Sequence, residues 1–267
     1  MAKYKKKRVR ELQHDRFRDA TMHFFEGLGN RLEGRGYSIL YGLGGLLVAA
    51  VLVVGFVKWT NKKSNEARQA LGHAITISKA QIAAAPIAGS TEPTFPTEKE
   101  RAQRAIEEFE KVAAKYGDPY KASSRYFIAT NRLVLDRPKA MSELAELGNS
   151  GVAEVAPLAK FALAQAQEGD GKLQEAAQLY SDLAKLNGTI ITSETANLRL
   201  AKVYEKLGKK KEASDLLFNI VDASRKAKAA DKTLPTSSAA REAADELKKI
   251  DPDRYAQLPP ENISLAG

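Results

Sequence analysis

The chain has 267 residues, of which 28% are charged and 43% hydrophobic, a composition that fits one or two folded domains and excludes a wholly disordered chain. It has no cysteine, which excludes disulfides, thiolate nucleophiles and cysteine-ligated zinc together. The net charge of +9 is uneven: residues 1–36 hold ten Lys/Arg against five Asp/Glu, whereas residues 59–267 hold 31 against 28. The large C-terminal part is therefore near balance, and no nucleic-acid partner is expected.

The N-terminal tail, 1–35, opens on the cluster Lys3, Lys5, Lys6, Lys7, Arg8 and Arg10. Such a cluster sets a cytoplasmic location by the positive-inside rule and is attracted to anionic lipid. Phe17, Thr21, Phe24, Leu28 and Leu32 then recur at spacings of three and four, as on one face of an amphipathic helix.

From Gly36 to Val57 no residue is charged. As a helix this stretch extends about 33 Å, enough for a hydrocarbon core of about 30 Å. Tyr37 and Tyr41 at one end, Trp59 at the other, and Arg35 and Lys58 just outside are the flanks of a spanning helix. The sequence thus predicts an uncleaved anchor over 36–58, with the N-terminus in the cytoplasm and the rest outside. Gly42, Gly45 and Ala49 give it a small-residue face on which a partner helix packs closely.

A membrane-proximal helix and a linker occupy 59–96, the stretch 83–96 reading as a loop. Beyond it the sequence repeats. Ala105, Ala140, Ala176 and Ala213 are followed four residues later by Phe109, Leu144, Tyr180 and Leu217, and seven later by Val112, Leu147, Leu183 and Ile220. Positions i, i+4 and i+7 share one helix face. Ala164 and Ala201 stand twelve residues before the last two of those alanines and mark a preceding helix, with turns at Asp170-Gly171 and Gly208-Lys209. Each unit is a helix pair that cannot bury its apolar face alone, so pairs stack into an array. The prediction is an all-α fold with a repeat domain over 97–250 and a C-terminal tail over 251–267.

Punctuation fits this division. Thr97 with Glu100 makes a capping box, Asp118-Pro119 an N-cap with a first-turn proline, and Gly117, Gly148 and Gly188 follow helix ends. Residues 228–236 read as a loop before a last helix at roughly 237–250.

Ala201, Tyr204, Ala213, Leu217 and Ile220, with the repeat alanines 35, 36 and 37 residues apart, resemble tetratricopeptide repeats over 97–225, although Gln167 stands where an aromatic is usual. The wider layout resembles the YfgM-like ancillary subunit family of the bacterial Sec translocon. It shares Phe24-Phe25 ahead of the span, a glycine-rich span ending in Lys58-Trp59, and Asn197-Leu198-Arg199-Leu200-Ala201 opening a repeat. The tail here is longer and more basic. The resemblance implies a single-pass inner-membrane protein with a periplasmic repeat domain. Its implied partners are translocon channel subunits, a periplasmic chaperone and exported chains. A general envelope scaffold in division or envelope assembly uses the same groove. With the topology reversed, the same fold reads as a cytosol-facing signalling adaptor.

No chemistry stands out, and no enzyme, cofactor or metal is expected. The histidines are His14, His23 and His73, too few and too scattered for a triad or a metal site. Gly42-Leu43-Gly44-Gly45 lies inside the apolar span and is no phosphate loop. What remains is the concave side that tetratricopeptide arrays line with the first helix of each pair. By register it includes Tyr126, Thr130, Phe161, Gln165, Leu198, Lys202 and Glu205, a set suited to a peptide. Tyr126, Phe161 and Leu198 have a second reading, in which they seal the stack.

Overall fold

A small residue followed at i+4 and i+7 by large apolar ones marks a helix that lets a neighbour close on its alanine and packs on it with the other two. The computed structural model of the chain bears this out across residues 62–84, 93–186, 188, 190–231 and 233–260, which are those described here. The predicted span 36–58, with Gly42, Gly45 and Ala49, lies outside these residues, as does the basic tail. Among the described residues no helix is long and apolar enough to cross a membrane.

Helix α1 covers residues 62–78. It is followed by α2 (Glu98–Lys115), α3 (Tyr120–Arg132), α4 (Arg137–Gly148), α5 (Ala156–Gly169) and α6 (Leu173–Lys185). Then come α7 (Ser193–Lys206), α8 (Lys210–Ala230), α9 (Ser238–Ile250) and the short α10 (Pro252–Ala256). From α2 on, each helix packs on its neighbours in sequence. The pairs are α1/α2, α3/α4, α5/α6 and α7/α8, with α9 standing as a further first helix.

All four repeat alanines lie in second helices, and they and the residues four later are at most 1% exposed; the residues seven later are at most 7% exposed. Ala164 and Ala201, in first helices, are equally buried. The core is a chain of linked clusters, one per junction. At one end Ala74 and Ile77 of α1 join Ala105, Ile106 and Phe109 of α2 and Ile128 of α3. Phe109 stacks on Phe127 with ring centroids 4.9 Å apart. The helix expected ahead of the repeats is therefore packed as the first helix of the first pair.

Local chemistry sets the boundaries. Thr97 caps α2 by accepting the Glu100 backbone N–H, and its hydroxyl donates to the Glu100 carboxylate. Asp118 does not take the N-cap position of α3, which Pro119 occupies; its carboxylate accepts from the Ala122 N–H at 3.0 Å. Asp136, Thr192, Ser237 and Asp251 cap α4, α7, α9 and α10 through their side chains.

Three further expectations are corrected. Gly117, Gly148 and Gly188 are not the left-handed glycines; Gly151, Gly171 and Gly208 are, with φ of 72°, 75° and 75°. Gly171 and Gly208 occupy the same turn in successive pairs, where Lys172 N–H reaches back to the Gln167 carbonyl and Lys209 N–H to that of Tyr204, both at 2.9 Å. That is the hydrogen bond of a glycine-closed helix end. The loop between α1 and α2 is not free of strand: Gln81–Ile82 (β1) pairs in parallel with Thr94–Phe95 (β2). Finally, residues 252–260, expected in a C-terminal tail, fold onto α8 and α9. Leu258 is buried in their core, Ser214 donates to Asp251 at 2.6 Å, and Arg254 meets Asp215 at 2.5 Å.

Candidate functional site

First helices are those that a neighbouring pair reaches directly. Helices α3 and α5 touch, as do α7 and α9, across the intervening second helix. Polar links follow the same line. Ser78 of α1 bonds Asn131 of α3 at 3.0 Å, Lys206 of α7 meets Glu168 of α5 at 2.5 Å, and Lys202 of α7 pairs with Glu242 of α9. Ser237, capping α9, donates to Glu194 in the first turn of α7 at 2.7 Å. First helices thus line one continuous face, and residues spaced by three and four along each of them look out from it.

The seven residues expected on this face divide by burial. Leu198 is only 4% exposed and belongs to the α7–α8–α9 core, because α9 covers it. Phe161 packs edge-on against Tyr180, centroids 5.6 Å apart, and seals the α5–α6–α7 cluster. Tyr126 is half-buried beside Phe127 at 5.3 Å, and that burial pushes its phenol above the usual tyrosine range. All three pack into the stack, Leu198 fully and Tyr126 and Phe161 in part. Thr130 spends its hydroxyl on the Phe127 carbonyl at 3.0 Å. Lys202 is engaged by Glu242, whose carboxyl is held below its ordinary range chiefly by that lysine's hydrogen bond.

Two residues remain open. Gln165 is exposed, and Glu205 is half-exposed with no ion-pair partner among the described residues. Register alone, applied one repeat earlier, leads from Glu205 to Glu168, which the sequence reading missed. Glu168 is the most connected group on the face: it accepts from the Tyr180 hydroxyl at 3.2 Å and from Lys206 at 2.5 Å. Along α5, α7 and α9, Arg199, Lys202 and Lys206 interleave with Glu168, Glu194, Glu205 and Glu242, so the face mixes both signs of charge. A ligand here is selected by shape and hydrogen bonding rather than by bulk charge.

No group of three metal-ligating side chains occurs among the described residues. His73 is exposed on α1, and His14 and His23 lie outside the described residues.

No family model and no curated protein matches the chain. Among solved structures, it is similar to that of a Podosopora anserina putative kinesin light chain with nearly identical TPR-like repeats. The identity is 19% over 68% of this chain and 84% of that one, with a TM-score of 0.47. A substituted form of the same protein gives 19%, 68%, 84% and 0.48. The assignment of a tetratricopeptide-like array rests on the helix pairing and the buried repeat positions themselves.

Proposed function

We propose that the chain is a non-catalytic scaffold that binds other proteins along its first-helix face, tethered to the inner membrane by the apolar segment 36–58. The observation that carries this reading is the continuity of that face. First helices from successive pairs meet and present Gln165, Glu205 and the rims of Tyr126 and Phe161 among charges of both signs. An extended or helical peptide is the ligand class suited to such a strip.

The finer reading, from the Sec-translocon resemblance, makes the chain an ancillary subunit beside the channel that hands exported chains to a periplasmic chaperone. Support for it is the order of parts: a basic tail, a 22-residue uncharged stretch with aromatic flanks, then the array. Purification in mild detergent, with bound proteins identified by mass spectrometry, tests it. Channel subunits in the bound fraction are the expected result, and their absence at native expression levels removes the translocon role. Protease treatment of spheroplasts sets the side: digestion of the array places it outside, whereas protection favours a cytosol-facing adaptor.

A further inference from the structure

Against α8 and α9, where a next pair would place its second helix, the described residues are α10 and 257–260. They leave a cavity of about 220 Å³ lined by Ser224, Arg225, Lys228, Thr236, Arg241 and Tyr255, among others. None of its lining residues belongs to the seven expected for peptide binding. Three cations line it, and Asp245 is the one acid among the lining residues.

The cations are not spent on carboxylates. Arg225 donates to the Pro259 carbonyl at 2.5 Å and to the Tyr255 hydroxyl oxygen at 3.3 Å, and its guanidinium lies 5.4 Å from the Tyr255 ring centre. All three partners are neutral, so they fix the guanidinium without cancelling its charge. Because Tyr255 accepts from Arg225, its own proton is left to donate. Lys228 and Arg241 make no ion pair among the described residues, and the Ser224 and Thr236 hydroxyls have no partner there. The space exceeds the share of one water, about 30 Å³, severalfold.

We propose that this cavity binds a phosphate-type dianion, free or as the head of a small monoester. Lys228 and Arg241 supply charge, Arg225 is held in place by Tyr255 and Pro259, and the hydroxyls of Ser224, Thr236 and Tyr255 complete the donor set. Cations and hydroxyls together offer more donors than the two oxygens of a carboxylate can use, whereas a phosphoryl group's oxygens match them. The site is independent of the first-helix face and does not rest on the proposed scaffold role.

Calorimetric titration of the full chain in non-ionic detergent, at fixed ionic strength, tests this with inorganic phosphate and with glycerol phosphate. Saturable binding to one site is expected, weakened about tenfold by Arg241→Gln and by Lys228→Gln. Lys211→Gln, at the far end of α8, leaves it unchanged. Tighter binding of glycerol phosphate assigns the site to a monoester, and equal or tighter binding of inorganic phosphate assigns it to the free ion. No saturation by roughly 10 mM of either probe, or equal affinities for wild type and both cavity variants, overturns the proposal. Arg241 and Lys228 make no hydrogen bond or ion pair with residues 252–260, and an unchanged helical circular-dichroism spectrum shows that lost binding is not lost folding.

Discussion

The Tyr180 hydroxyl donates to the Glu168 carboxylate across 3.2 Å, and Lys206 reaches the same carboxylate at 2.5 Å from the next helix pair. Three helices, α5, α6 and α7, thereby meet on one acid. Burial, then the charge of Glu168, pushes the phenol far above the ordinary tyrosine range. It therefore stays protonated and keeps donating wherever the fold survives. A tyrosine at a repeat position otherwise filled by Phe109, Leu144 and Leu217 couples the core of one pair to the polar face of the next.

The ring and the hydroxyl of Tyr180 make separable contributions. Tyr180→Phe keeps the packing against Phe161 and loses one hydrogen bond to a charged acceptor, a cost of about 1.5–3 kcal/mol. Tyr180→Ala also opens a cavity and costs about 3–5 kcal/mol. Urea unfolding followed by circular dichroism distinguishes them, the phenylalanine variant falling well short of the alanine one. Equal losses would mean that the hydroxyl, rather than the ring, holds α6 in place.

Glycine substitutions sort by backbone rather than by space. A Cβ on Gly208 meets nothing within 4 Å, yet φ is +75°, so Gly208→Ala is destabilising by about 1–2 kcal/mol through the left-handed conformation alone. Gly72 also has open space but no such backbone, and it lies inside α1. Gly72→Ala therefore stabilises by about 1 kcal/mol. Melting temperatures should move in opposite directions, by roughly 2–4 °C for each kcal/mol.

The array was legible in the sequence because burial in a second helix imposes one strict rule. Its alanine, i+4 and i+7 positions contact both flanking first helices, so no polar substitute survives there beyond the Tyr180 hydroxyl that Glu168 satisfies. First helices are harder to read. Leu198 occupies the same register as Phe161 one repeat earlier, but α9 buries it while Phe161 keeps an open edge. Which neighbour covers a position is a tertiary fact. Helix α1 escaped inclusion in the array for another reason: residues 79–97 separate it from α2, whereas the later turns within pairs are short, so the period that marks its partners does not extend to it. The C-terminal segment carried no periodicity, and its hold on α8 comes from single contacts such as Ser214 to Asp251.

That contact makes stability depend on pH. The Ser214 hydroxyl first, and then the Arg254 N–H, hold the Asp251 carboxyl below its ordinary range. A carboxylate with a depressed folded-state value contributes stability above its unfolded value, about 3.9, and loses it as pH falls through the folded one. Asp251→Asn keeps a capping side chain but removes the charge. Its melting temperature should lie below wild type at pH 7, and the gap should narrow below about pH 4 as the wild-type carboxyl protonates. A gap that is constant with pH would show that the loss lies in capping geometry and not in charge.

Stability and binding should part company along the first-helix face. Leu198 and Phe161 are packed, so Leu198→Ala costs about 2–5 kcal/mol and Phe161→Ala about 3–5 kcal/mol, the latter near the lower end because one edge of its ring is open. Gln165 is exposed and Glu205 has no ion-pair partner, so Gln165→Ala and Glu205→Ala should each stay within about 0.5 kcal/mol of wild type. If proteins bind this face, however, the second pair of variants should deplete bound partners in detergent co-purification while the fold is unchanged. Glu205→Lys sharpens the test, since it replaces an acid by a cation and repels any ligand whose own cation meets that position. The face is not the binding surface if the double variant at Gln165 and Glu205 retains every partner that wild type retains. In that case the ion pairs Lys206–Glu168 and Lys202–Glu242 serve only to align one helix pair with the next.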